Sequence, residues 1–246
     1  MTNSTQIFGL RAIIEAINAE KTIDKVFLQK GLEGELFNAL EQLIRQNNIS
    51  CSYVPIEKLN RFDSKNHQGA VATISPITFV TIESLVEQSI NKETPPLFLI
   101  LDDITDVRNF GAIARTAECT GVTGIIIPKQ GAAPINGDAI KTSAGALFKI
   151  PICKVDHIKD AIYYFQASDI QVFAATEKTN QYIYETNLNQ PMAVVMGSEG
   201  RGVNPSVLKI VNQKAKLPMF GTIHSLNVSV ACGAFLYEAV RQRTLK

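Results

Sequence analysis

Hydrophobic positions in the first third of the chain recur with helical spacing between short apolar runs. Leu10, Ile13, Ile14 and Ile17 fall three and four apart and predict a helix over 8–19. Leu36, Phe37, Leu40, Leu43 and Ile44 make a second stripe and predict a helix over 34–47. A further helix is expected over 56–62, with strands at 26–28, 49–54 and 69–74. This alternation describes a small α/β domain over residues 1–76.

From Leu97 onward the strand candidates become almost continuously apolar: 97–101, 124–127, 170–175, 193–196 and 215–218. Helical patterns separate or follow them at 109–120, 156–167, 205–212 and 225–243. Apolar strands alternating with helices imply a parallel sheet covered on both faces, an α/β fold spanning 97–246. Between the two segments, 77–96 reads as a linker with a short helix at 81–90. The Pro95-Pro96 pair ends it, since neither residue continues a helix.

With 46% hydrophobic and 19% charged residues among 246, the composition is that of a globular protein and excludes disorder as the main state. The formal net charge is +1, so binding of a polyanion through bulk charge is excluded and only a local patch would serve. Cys51, Cys119, Cys153 and Cys232 are far apart in sequence and form no CxxC pair, which reads as free thiols in a reducing compartment. The polar start at 1–6 lacks the basic and apolar parts of a secretory signal. No apolar run approaches the roughly 20 residues of a membrane span. A cytoplasmic protein without membrane contact is expected. No His or carboxylate set has metal-ligand spacing, so no metal is expected.

Three clusters carry candidate chemistry. The first follows the strand at Leu97: Asn109-Phe110-Gly111-Ala112-Ile113-Ala114-Arg115. Strand, polar loop and helix put Asn109 at or near an N-cap. Arg115 is the one cation of its helix: a guanidinium snorkelling at the surface, or a clamp for phosphate or carboxylate. The second ends the strand at Ala193: Met196-Gly197-Ser198-Glu199-Gly200-Arg201-Gly202. It is a structural turn or a cofactor seat, because ligands of open α/β sheets bind past the carboxyl ends of strands. It is neither the dinucleotide fingerprint nor a Walker A loop. The third is Ser225-Leu226-Asn227-Val228-Ser229-Val230-Ala231, a capped C-terminal helix with Ser225 as the expected N-cap, or a ligand held by amides and small hydroxyls. The adjacent His224 and Ser225 carry little weight as a hydrolase pair, since no G-x-S-x-G elbow accompanies them.

Taken together, the three clusters resemble motifs 1, 2 and 3 of the SpoU (TrmH) family of RNA 2′-O-ribose methyltransferases, within the SPOUT superfamily. Order and spacing fit across 97–246. Phe8-Gly9-Leu10-Arg11-Ala12 and His67-Gln68-Gly69-Ala70-Val71-Ala72 resemble that family's N-terminal substrate-binding domain. The layout is most similar to the subgroup that methylates a guanosine ribose of 23S rRNA. One departure is Val107, where the family often has proline.

The resemblance implies a C-terminal trefoil knot that binds S-adenosyl-L-methionine, and a homodimer through the knotted domain in which the partner completes each active site. It implies cofactor contacts at Gly197, Glu199, Gly200, Leu217, Met219 and Leu226. It also implies a catalytic set of Arg115, Asn109, Glu199, Ser225 and Asn227, with Arg115 as the general base of the family proposal. An arginine ordinarily titrates far above neutral pH, so deprotonating one at pH 7 costs about 7 kcal/mol. A phosphate clamp is the less demanding role. Candidate RNA contacts are Arg11, Arg108, Lys141, Arg201, Arg241 and Arg243, with the small-residue stretch 142–146 open to an approaching backbone. The alternatives are a tRNA 2′-O-methyltransferase and a non-catalytic RNA- or ribosome-binding protein on the same fold.

Overall fold

The computed structural model describes residues 6–62, 67–90, 94–222 and 225–244. His224, residues 91–93 of the expected linker and residues 1–5 lie outside them. The chain divides into two compact units: one runs to Thr78 and includes Ile135–Gly137, the other holds Phe79–Pro134 and Asp138–Lys246.

The first unit runs β1 (Gln6–Phe8), α1 (Leu10–Asn18), β2 (Ile23–Gln29), α2 (Glu35–Gln46), β3 (Cys51–Val54), α3 (Ile56–Leu59) and β4 (Ala70–Ile74). Its sheet has the order β1-β4-β2-β3, with β2 parallel to β3 and antiparallel to β4. The two amphipathic helices bury Ile13, Ile17, Leu40 and Ile44 against Val26, Leu28, Ala70 and Ala72. The helix expected from residue 8 starts after Gly9, whose φ of 89° breaks the helical path and leaves Phe8 in a strand. His67 is buried: Asn60 Oδ1 lies 2.8 Å from its Nε2, and its Nδ1 accepts from the Gly69 N–H.

The second unit contains β5 (Phe79–Val80), α4 (Ile82–Ile90), β6 (Leu97–Asp102), α5 (Val107–Cys119), β7 (Gly124–Pro128), α6 (Gly137–Thr142) and β8 (Ile152–Val155). It continues with α7 (Ile158–Ala167), β9 (Gln171–Ala175), β10 (Met192–Gly197), α8 (Pro205–Leu208), β11 (Gln213–Ala215) and α9 (Val228–Thr244). The parallel sheet has seven strands in the order β11-β9-β10-β6-β7-β8-β5. Within the stretch 77–96, β5 pairs with β8, and Leu85 and Val86 of α4 enter the core of this unit.

That core lies between the sheet and α4, α7 and α8. Phe98 of β6 and Phe165 of α7 stack at 4.7 Å, surrounded by Ile100, Ile126, Ile162, Val195 and Val207. Leu97, Leu99 and Leu101, the alternate residues of β6, are buried on its other face. This two-sided burial explains why the strands read as unbroken apolar runs. α5 packs along α9 and also comes close to α6. A Cβ at Gly111 would stand 2.7 Å from Thr142 Cβ and 3.0 Å from the Ala139 carbonyl, so the glycine permits that approach.

Candidate functional site

The carboxyl ends of β9 and β10 and the N-terminal end of α9 surround one cleft of about 440 Å³. The loop after β10 is its floor. An antiparallel bridge joins Ser198 to Gly202, and the Gly202 N–H donates to the Ser198 carbonyl at 2.8 Å. A Cβ at Gly197 would stand 2.1 Å from Gly202 C and Val203 N, so only glycine fits where the loop folds back. Met196, Leu217, Met219, Leu226, Val228, Ala231 and Phe235 supply apolar wall. Glu177, Lys178, Glu199, Arg201 and Lys216 supply charge.

Three side chains from distant segments meet beside it. Asn109 lies in the first turn of α5, Glu199 sits in the β10 loop, and Asn227 precedes α9. Glu199 Oε1 accepts from Asn109 Nδ2 at 2.9 Å and from Asn227 Nδ2 at 2.6 Å. Asn227 Nδ2 also donates to Asn109 Oδ1 at 2.9 Å. The orientation of both amides follows from one fixed point. Asn227 Oδ1 accepts the Ser229 N–H at 2.9 Å and the Ser229 hydroxyl at 2.6 Å, which turns its NH₂ group toward Glu199.

Two caps differ from the sequence reading. α5 is capped by Asp106, which accepts the Asn109 N–H at 2.8 Å, so Asn109 lies inside the helix and its side chain is available to Glu199. α9 begins at Val228 with Asn227 as its capping side chain, so Ser225 is not the N-cap. Ser225 lines the cleft instead.

All the residues expected to hold a cofactor, Gly197, Glu199, Gly200, Leu217, Met219 and Leu226, line this one cleft. Ala175 at the end of β9, the residues 176–178 that follow it, Lys216 and the helix residues Val228, Ala231 and Phe235 also line it and were not anticipated. The neighbouring strand end was the available signal, because adjacent parallel strands open onto a common crevice. Arg115 stands apart. It is exposed on α5, is not part of the cleft wall, and forms no hydrogen bond or ion pair among the described residues.

Three expected RNA-contacting cations have internal partners. Arg201 pairs with Asp103, and Arg241 is bidentate to Glu238. Arg243 donates to the carbonyls of Pro95, Leu188 and Gln190, and burial lowers its pKa. The stretch 142–146 is a helix stop rather than a backbone seat. Ser143 is fully buried, and the Gly145 N–H closes α6 on the Ile140 carbonyl. Arg11, Arg108 and Lys141 remain exposed. The cysteines are free, and burial pushes Cys232 up to about 12. Among the described residues no cluster of His, Cys, Asp and Glu could hold a metal, and no helix is long and apolar enough to cross a membrane.

Comparison with known proteins gives a consistent family. Residues 96–237 match the SpoU rRNA Methylase family, and residues 6–80 match the RNA 2′-O ribose methyltransferase substrate binding family. The 23S rRNA (guanosine-2′-O-)-methyltransferase RlmB of Pseudomonas putida is 32% identical, covering 100% of both chains. An AdoMet-bound rRNA methyltransferase from Sinorhizobium meliloti shares the fold with a TM-score of 0.62 and 22% identity, over 98% of this chain and 88% of that one. A TrmH/SpoU tRNA modifying enzyme of A. aeolicus superposes with a TM-score of 0.56 at 31% identity, covering 66% of this chain and 82% of its own. With Asn109, Glu199 and Asn227 of its three motif segments hydrogen-bonded together beside the cleft and a family match across more than half its length, the chain belongs to the SpoU rRNA methylase family.

Proposed function

We propose that the protein transfers a methyl group from S-adenosyl-L-methionine to a ribose 2′-hydroxyl of RNA, with a guanosine of 23S rRNA as its target. The observation that carries this reading is the Asn109–Glu199–Asn227 network at the rim of the cleft. The relative RlmB, alike over its whole length, supplies the substrate class.

The cleft fits the cofactor. Its volume lies in the range of small-molecule sites, and its apolar walls suit a purine and a thioether stem. Glu177 and Glu199 with Lys178 and Lys216 answer the ammonium and carboxylate of an amino-acid moiety. Gly197, Glu199, Gly200, Leu217, Met219 and Leu226 would hold it. When bound, it supplies a methyl group already activated by a sulfonium. The chain's task is then to orient the hydroxyl in line and ease the loss of its proton. Asn109, Glu199 and Asn227 hold the rim in register, and Ser225 is placed to bond the ribose or its phosphate. Arg115 clamps a phosphate and stabilises developing negative charge on the oxygen.

Arg115 is too exposed to serve this cleft from its own α5, which supports a homodimer. Val230 and Tyr237, each 57% exposed, line one side of α9 next to α5 and give an apolar face for a second copy. Under this reading Arg115 enters the partner's site, the C-terminal segment is threaded as a trefoil knot, and residues 1–76 grip RNA. The enzyme works in the cytoplasm.

The test is methyl transfer from labelled S-adenosylmethionine to rRNA and tRNA from cells lacking the protein, with nucleoside analysis. Label in 2′-O-methylguanosine of 23S rRNA is expected, with a loss of about a hundredfold in Arg115→Ala. Label in tRNA alone overturns the substrate, and no label without cofactor binding leaves an RNA-binding protein. An Arg115→Lys variant that matches the wild type at high pH but is dead at neutral pH would replace the clamp with a general base.

A further inference from the structure

A second cleft, of about 430 Å³, opens at the carboxyl ends of β6, β7 and β8. Ser198, Arg201 and Gly202 line both clefts, so the loop after β10 is their common wall. Anything seated in the second cleft lies one loop away from the proposed methyl donor.

The lining chemistry selects its occupant. Asp102, Asp103 and Asp156 face the space, together with Gln130, Lys159 and Arg201. Lys129 takes Asp156 at 3.0 Å, and Arg201 is held by Asp103. A phosphate would meet more carboxylate than unpaired cation. Asp102 Oδ2 accepts the Asn204 N–H at 2.7 Å, and Asp103 Oδ2 accepts from Arg201. The Oδ1 atom of each accepts no hydrogen bond among the described residues. The wall therefore offers two acceptors beside a guanidinium and asks for a neutral ligand with adjacent donors. Guanine presents N1–H and the N2 amino group next to the O6 acceptor. Uracil places an acceptor on each side of its single N–H, and adenine and cytosine each offer one donor group.

We propose that this cleft receives the base of the target nucleotide, turned out of its stack, and that Asp102 and Asp103 read it as guanine. The proposal rests on the methyltransferase reading above. The carboxylates accept from N1–H and N2, and Arg201 donates to O6. Discrimination comes chiefly from desolvated acceptors that a wrong base leaves unpaired.

The experiment compares methyl transfer to 23S rRNA fragments carrying guanosine or inosine at the methylated position, inosine lacking only the N2 amino group. The wild type is expected to favour guanosine by about tenfold or more. Asp103→Asn suits the test because asparagine also tolerates the left-handed backbone at φ 62°. It should bring the two substrates to comparable rates, with calorimetric affinity for S-adenosylmethionine unchanged. Asp102→Asn, which keeps an acceptor for Asn204, should act in the same direction and covers the case in which Asp103→Asn disturbs the loop. Unchanged preference for guanosine in both variants overturns the base-reading role and leaves the enzyme assignment standing. A wild type that methylates no RNA overturns the enzyme assignment and the base-reading role with it.

Discussion

Glu199 gathers two amide donors onto one carboxylate oxygen, and each donor comes from a different end of the second unit. Removing the side chain frees Asn109 and Asn227 together and lets the loop that floors the cleft drift. A misplacement of about 1 Å is enough to cost roughly a hundredfold in rate. Glu199→Ala is therefore expected to lower kcat by about that factor, while Glu199→Gln, whose carbonyl oxygen still accepts from both amides, keeps most of it. Initial-rate kinetics on the two variants separates geometry from charge: equal losses would show that the negative charge itself is needed. Asn109, Glu199 and Asn227 were singled out by the resemblance to the family's three motifs. Their contact was not legible, because no local rule brings residues 90 and 118 positions apart to one oxygen. Arg243 shows the converse: a cation reads as an RNA contact until the fold supplies three carbonyls.

At the scale of elements, long periodic helices and apolar strands were readable, and short pieces were not. β5 has two residues and β8 four, too few to show a period, and the residues of α6 form a single short run. Helix ends shifted because a cap is a side-chain geometry: Asp106 and Asn227 compete with Asn109 and Ser225 for the same role. α9 also carries a buried device that no periodicity reveals. Both oxygens of Glu238 accept from Arg241 at 2.8 Å, and Gln242 adds a third bond at 2.8 Å. The Arg241 guanidinium holds the Glu238 carboxyl below the usual carboxylate range. A lowered folded-state pKa stabilises above the unfolded value of about 4.3, and that contribution fades as pH falls through the lowered value. Glu238→Gln should thus reduce Tm at pH 7, and the gap to the wild type should narrow as melts are taken below pH 4. A gap that stays constant with pH would assign the loss to packing alone.

At the scale of the whole molecule, local pattern reached the fold class but not the strand order. β10 enters between β9, the strand just before it in sequence, and the much earlier β6, and only then do the ends of β9 and β10 and the start of α9 share a cleft. The same view isolates Arg115, which faces solvent while Glu199 and Asn227 stand at the rim. In a two-fold dimer, a residue contributed across the interface enters the partner's site and leaves its own chain's site dependent on that partner. Two inactive variants then behave differently apart and together. Arg115→Ala lacks the donated cation but keeps its own rim, whereas Glu199→Ala lacks the rim but still donates Arg115. When the two are unfolded together and refolded, mixed dimers contain one site with both groups intact, so part of the wild-type methyl transfer should return. If Arg115 served its own chain, every site in the mixture would lack one group and activity would stay at the level of the separate variants. Sedimentation of the wild type at the same concentration supplies the companion measurement, since a monomer would remove the route by which Arg115 reaches a cleft at all.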